Sequence, residues 1–208
     1  MIFKLLFITI ISAGLYIYTN SLSSRLRYLF KPLTTILVIA IAIILQYESK
    51  STYGYLIIAG LVFSLFGDIF LMLPKDKFVQ GLASFLIAHI FYIIAFSSGF
   101  GPYLEIGYLI PPAIYASVFL WILLPKTGEM KIPVMVYALV LMVFLWQALG
   151  RFYYLGNQAS LYIIIGAVLF VISDTILAYA RFVKDFNLSP TLIHVTYWGA
   201  QVFIALSI

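Results

Sequence analysis

The sequence predicts an all-α, polytopic membrane protein of eight transmembrane helices, one domain covering 1–208, and three observations predict it. Hydrophobic residues make up 64% of the chain and charged residues only 9%, with a mean hydropathy of +1.12, too apolar for one water-soluble core. The apolar residues fall into runs of about 16 to 22, close to the roughly 20 needed to cross the hydrocarbon core. Charges, prolines and glycines gather between the runs, so no soluble domain is left and function must be built between helices.

The predicted spans lie near 2–19, 32–47, 53–73, 78–97, 104–124, 132–150, 159–180 and 190–207. Span 1 has Lys4 before its apolar run, yet no small-x-small cleavage site precedes the polar NSLSSRLR connector, so it is read as a retained helix. Span 2 opens as Lys31-Pro32-Leu33, with Pro32 expected in the first helical turn. Span 5 contains Pro111 and Pro112, expected to kink or break it. The aromatic residues, 18% of the chain, are read as mostly lipid-facing or interfacial.

Lysine and arginine are distributed unequally. Nine of the twelve follow spans 1, 3, 5 and 7, and only Lys4, Lys50 and Arg151 lie on the other side. Positive residues are retained in the cytoplasm, so both termini are predicted outside, periplasmic in a bacterial inner membrane. The net charge of +5 is scattered and forms no basic face for nucleic acid; membrane lipids are its partners. The absence of cysteine excludes disulfides, thiolate metal sites and a thiol nucleophile.

The polar residues inside the spans carry the functional signal. A carboxylate in a membrane helix costs about 2.5 to 3.5 kcal/mol on insertion scales, so Asp68 and Asp174 are functional candidates. They lie five and six residues before the ends of spans 3 and 7, which run in the same direction, and therefore at similar depth. His89 follows Asp68 by 21 residues and His194 follows Asp174 by 20. FGDIFLM and ISDTILA also share a pattern, each followed by a basic turn, so a parallel four-plus-four repeat is expected. Ser64 and Ser173 flank the aspartates, Tyr92 lies one turn beyond His89, and Tyr137 lies at similar depth on span 6. Span 8 presents His194, Tyr197 and Gln201 as a polar stripe. Two facing carboxyl groups supply the acid and base of general acid–base chemistry. Lys31 beside a helix N-terminus suits a phosphate, whereas Arg181 reads as a headgroup anchor. No HExxH or comparable close spacing exists, so neither metal nor cofactor is expected.

The ordered set of Lys31-Pro32-Leu33, FSLFGDIFLML with Asp68, GLASFLIAHIFY with His89, VYALVLM with Tyr137, GAVLFVISDTILA with Asp174, and Tyr197 with Gln201 resembles the YhhN-type lysoplasmalogenase family. The resemblance runs from Lys31 to Gln201. It implies hydrolysis of the vinyl ether bond of a lysoplasmalogen, or a related lysolipid ether, giving a fatty aldehyde and a glycerophospho-headgroup. The lysophospholipid is then the substrate, Asp68 the acid, Asp174 the base or cation stabiliser, and His89 the group that tunes them; the two aspartates are interchangeable at this level. Lys31, Ser64, Tyr92, Tyr137, Ser173, His194, Tyr197 and Gln201 are the expected substrate-binding set. The competing expectation is a proton-coupled transporter or lipid flippase using the same aspartates as a relay. An intramembrane aspartyl protease would need GxGD, and Leu65 occupies the first glycine position.

Overall fold

The computed structural model describes residues 1–19 and 24–208; residues 20–23, the first half of the predicted polar connector, lie outside them. Eight α-helices follow one another: α1 (Ile2–Thr19), α2 (Ser24–Ser49), α3 (Thr52–Met72), α4 (Phe78–Ser97), α5 (Ile110–Leu123), α6 (Lys131–Leu155), α7 (Gln158–Phe182) and α8 (Ser189–Leu206). Seven of them, α1 to α7, are long and apolar enough to cross a membrane, α5 with its flanking 3₁₀ turns. Helix α8, 18 residues long, runs back antiparallel along α7 but is not apolar enough to be counted with them. It carries Ser189, His194 and Gln201, which are buried against other helices rather than turned to lipid.

Side-chain caps position several starts. Ser51 accepts the Gly54 N–H at 3.0 Å to open α3, and Asn157 and Ser160 form a capping box that opens α7. Two predicted proline effects are corrected. Pro111 and Pro112 sit in the first turn of α5, where the missing N–H groups have no helical partner to lose, so they start the helix instead of kinking it. Pro32 lies inside α2, which begins at Ser24, and its missing N–H deprives the Tyr28 carbonyl of its usual helical donor.

Helices α3 and α4 pack as one antiparallel hairpin and α7 and α8 as another. The contacts α2–α3, α4–α6, α6–α7 and α2–α8 close these into a ring of six, with α1 outside against α2 and α8, and α5 outside against α6. Small residues set the hairpin spacing: a Cβ on Gly60 would lie 2.3 Å from the Tyr92 ring, and one on Gly166 would lie 2.8 Å from Ile204. At the centre Phe85, Tyr92, Phe96, Phe144, Phe170 and Tyr197 meet largely edge-to-face and are nearly solvent-free. These six are exceptions to the reading of the aromatics as mostly lipid-facing or interfacial. Lipid is as apolar as a side chain, so helix association depends on close van der Waals packing, which large rings supply.

Candidate functional site

The buried face of α3 runs through Gly60, Ser64, Gly67 and Asp68, and that of α7 through Gly166, Phe170, Ser173 and Asp174, both at helical spacing. Each stripe carries its carboxylate inward. Asp68 lies four residues before the end of α3 and Asp174 eight before the end of α7, in place of the five and six expected. The two nevertheless line one cavity of about 730 Å³, together with Lys31, Ser173, His194 and Tyr197.

Asp68 is 2% exposed and fully engaged. Its Oδ2 accepts from Thr35 Oγ1 at 2.7 Å and from the Tyr197 hydroxyl at 2.9 Å, while Lys31 Nζ lies 3.5 Å from Oδ1. Thr35 in turn accepts from Trp198 Nε1 at 3.2 Å. Lys31 thus departs from its expected place: it is inside α2, not at a helix N-terminus, and its charge is spent on a buried carboxylate. Asp174 is 9% exposed and accepts one hydrogen bond, from the Tyr137 hydroxyl at 2.6 Å. It also borders a second, narrow cavity of about 60 Å³ between α4, α5, α6 and α7, whose walls are almost wholly apolar. Phe85, Leu71, Phe78 and Leu177 stand with Asp174 at the junction of the two spaces.

The remaining candidates divide. Ser173 donates to the Ile193 carbonyl at 3.0 Å at the cavity wall. His194 donates from Nδ1 to the Pro190 carbonyl at 2.6 Å, which leaves Nε2 to accept from the Tyr16 hydroxyl at 3.1 Å. Ser64, Tyr92 and Gln201 lie outside the cavity wall: Tyr92 donates to Gln201 Oε1 at 2.9 Å, and Ser64 contacts Tyr92 at 3.5 Å. His89 sits in the aromatic core. Its Nδ1 donates to the Phe85 carbonyl at 2.7 Å, its Nε2 has no partner among the described residues, and Phe144 and Phe170 pack against the ring at 4.8 and 4.4 Å. It hydrogen-bonds to neither carboxylate, because its helix turn points it into the aromatic core.

Sequence reasoning missed Thr35, Tyr16, Arg27 and Tyr28. Thr35 had a signal, since it follows Lys31 by one helical turn and shares its face. Tyr16, Arg27 and Tyr28 line the cavity from α1 and the start of α2, the region that carried no recognised motif. Rim residues Pro74, Asp76, Lys77 and Asp185 place the cavity mouth at the lysine- and arginine-rich end of the bundle. There Arg181, expected only as an anchor, pairs with Asp76 at 2.5 Å and tethers α7 to the α3–α4 turn. The guanidinium, helped by the Phe78 N–H, holds the Asp76 carboxyl below the usual carboxylate range.

The model of the YhhN family matches residues 26–208. The chain belongs to the YhhN family. Among its relatives, it is 38% identical over 159 residues to human lysoplasmalogenase TMEM86B, covering 74% of this chain and 64% of that one. Bovine lysoplasmalogenase TMEM86A is 34% identical over 157 residues, 73% of this chain and 64% of that protein. The chain thus spans somewhat less than two thirds of the length of these mammalian relatives. The Escherichia coli O6:H1 membrane protein YhhN is 24% identical over 184 residues, 88% and 86% of the two chains. No solved structure matches. With its seven long apolar helices, this YhhN family member is an integral, multi-pass membrane protein.

Proposed function

We propose that this protein is a hydrolase that cleaves the vinyl ether bond of lysoplasmalogens, or of a related lysolipid ether, by acid–base chemistry. The observation that carries it is the shared cavity: two intramembrane carboxylates face one polar chamber, and one of them also borders an apolar cavity suited to a hydrocarbon chain. The names of the mammalian relatives supply the substrate class, and the chemistry needs no serine or cysteine nucleophile.

The surroundings of the two carboxylates support exchanging the roles first expected. Asp68, facing an ammonium and two hydroxyl donors, is set up as the anion. Asp174, with a single donor and an apolar flank, is the acid in this scheme. Asp174 gives its proton to the vinyl carbon β to the ether oxygen, which forms an oxocarbenium ion. Water adds to the adjacent carbon and yields a proton to Asp68. The resulting hemiacetal collapses to the aldehyde as its hydroxyl proton passes to the departing glycerol oxygen. Return of the proton from Asp68 to Asp174 completes the cycle. Tyr197 and Thr35 position Asp68, and Tyr137 positions Asp174. Lys31, Ser173 and His194 form part of the chamber for the polar end of the substrate.

The positive end of the bundle faces the cytoplasm in this reading, so the chamber opens there and both termini lie outside, in a bacterial inner membrane. A parallel repeat is supported by Gly60 and Gly166, each eight residues before its aspartate and each against the returning helix of its hairpin. The test of function is aldehyde release from a vinyl-ether lysolipid by purified protein in detergent. A transporter needs two compartments, so absence of aldehyde alongside substrate movement in vesicles would replace the hydrolase with the carrier.

A further inference from the structure

The narrow apolar cavity does not end inside the bundle. Pro112, Tyr115, Leu145, Val171 and Thr175 line both it and an outer groove of about 430 Å³. The far side of that groove is formed by Pro111, Val168, Ile172 and Ile176, and Val168 and Ile172 are exposed on the outer surface of α7. A chain of spaces therefore leads from the polar chamber, past Asp174, to the lipid-facing side of the α5–α7 seam. Between the inner and outer parts stand Tyr115 and Thr175. Thr175 donates its proton to the Val171 carbonyl at 2.5 Å, so the Tyr115 hydroxyl is the donor in the hydrogen bond between them. Among the described residues this is the one side-chain hydrogen bond joining α5 to α7.

Helix α5 is the element that can move there. It is the least buried of the seven spans, begins at two prolines, is flanked by 3₁₀ turns at both ends, and barely touches α7. A tyrosine hydroxyl facing lipid needs a partner, and a phenylalanine would need none, so Tyr115 has a specific use at this seam. We propose that the α5–α7 seam is a lateral portal through which the hydrocarbon chain of a lysophospholipid enters from the bilayer, with the Tyr115–Thr175 hydrogen bond as its latch. The polar headgroup lies in the chamber lined by Asp68 and Asp174, and the chain runs past Asp174 and out between α5 and α7. The proposal rests on the function given above for the identity of the amphiphile, but its test does not depend on turnover.

The chain contains no cysteine, and the probe is a lysophosphatidylcholine carrying a diazirine on its acyl chain, photolysed with the full-length protein in lipid nanodiscs. Adducts are expected at Leu145, Val171 and the α5 residues facing them, and to be displaced by excess unlabelled lysophosphatidylcholine. Val171→Trp should fill the neck and reduce portal labelling at least fivefold, whereas Tyr115→Phe, which removes the latch with almost no change of shape, should raise it at least twofold. If Val171→Trp does not fold, the wild-type map and Tyr115→Phe carry the test alone. Adducts confined to other helices, or labelling that is not displaced and is unchanged in Tyr115→Phe, would overturn the portal. Aldehyde release without portal labelling would remove the portal and leave the activity; portal labelling without aldehyde release would do the reverse.

Discussion

Asp68 and Asp174 stand in matching sequence settings, each after a small residue on a helix of the same direction, yet their surroundings differ in kind. Around Asp68 three helices converge: Lys31 and Thr35 from α2 and Tyr197 from α8 all reach one carboxylate on α3. Around Asp174, among the described residues, only Tyr137 donates, and beside the shared chamber the carboxyl group borders an apolar space. A cation and several donors favour the ionised form of a carboxyl group, and few donors beside apolar walls favour the protonated form. The difference shows that matching sequence settings do not give matching surroundings; the donors supplied by other helices decide those.

The largest effect should come from removing either carboxyl group. Asp68→Asn and Asp174→Asn should each lower aldehyde release by roughly 10²- to 10⁴-fold, the usual range for general acid–base groups, while the protein remains folded by its melting profile in detergent. Near-full activity in both variants would end the mechanism. Next comes Lys31→Met, which leaves the buried Asp68 without its cation and should destabilise the protein by about 3 kcal/mol in unfolding titrations. Adding Asp68→Asn to Lys31→Met should recover much of that loss, and additive losses in the double variant would show that the pair is not coupled.

The comparison sharpens further with the two tyrosines. Tyr137→Phe removes the only donor to Asp174 among the described residues and should lower turnover roughly tenfold, about 1.4 kcal/mol. Tyr197→Phe leaves Asp68 with Thr35 and Lys31, so its loss should be smaller, no more than roughly threefold on the same scale. Equal losses in steady-state rates would contradict the asymmetry. The smallest effect belongs to the rim pair. The folded-state pKa of Asp76 is lowered by Arg181, so the pair adds stability above the unfolded carboxylate value and loses it as pH falls through the lowered one. Wild type and Arg181→Gln should therefore differ slightly in melting temperature at neutral pH and low salt, and converge in strong acid or high salt.

Much of the candidate site was legible because burying charge in a membrane is expensive. Asp68 and Asp174 could be picked out by that cost alone, and Tyr197 and Tyr137 by their helical spacing or depth. His89 had the same polar signal but not the same destination: its ring is enclosed by Phe144 and Phe170, and nothing in one helix reveals what packs against it. Lys31 was found for the wrong reason, because α2 starts a full two turns earlier than Pro32 implied and carries the lysine into the bundle. Thr35 was missed because a threonine hydroxyl in an apolar helix usually bonds its own backbone, and only the neighbouring helix makes it a donor to something else; Tyr16 was missed because a tyrosine on a membrane helix reads as an interfacial aromatic.

Taken alone, the sequence determined that this chain lives in a membrane, roughly where its helices run, and which two carboxylates are too costly to be packing. These follow from local composition and from the energy of moving residues out of water, which each segment carries by itself. Only the tertiary structure decided that the two aspartates share one chamber, that one has a cation and two donors while the other has a single tyrosine, and that an apolar passage leads from Asp174 to α5. Those facts depend on contacts between different helices, from Thr35 with Asp68, 33 positions apart, to Tyr197 with Asp68, 129 apart, and no periodicity within one helix encodes its neighbours.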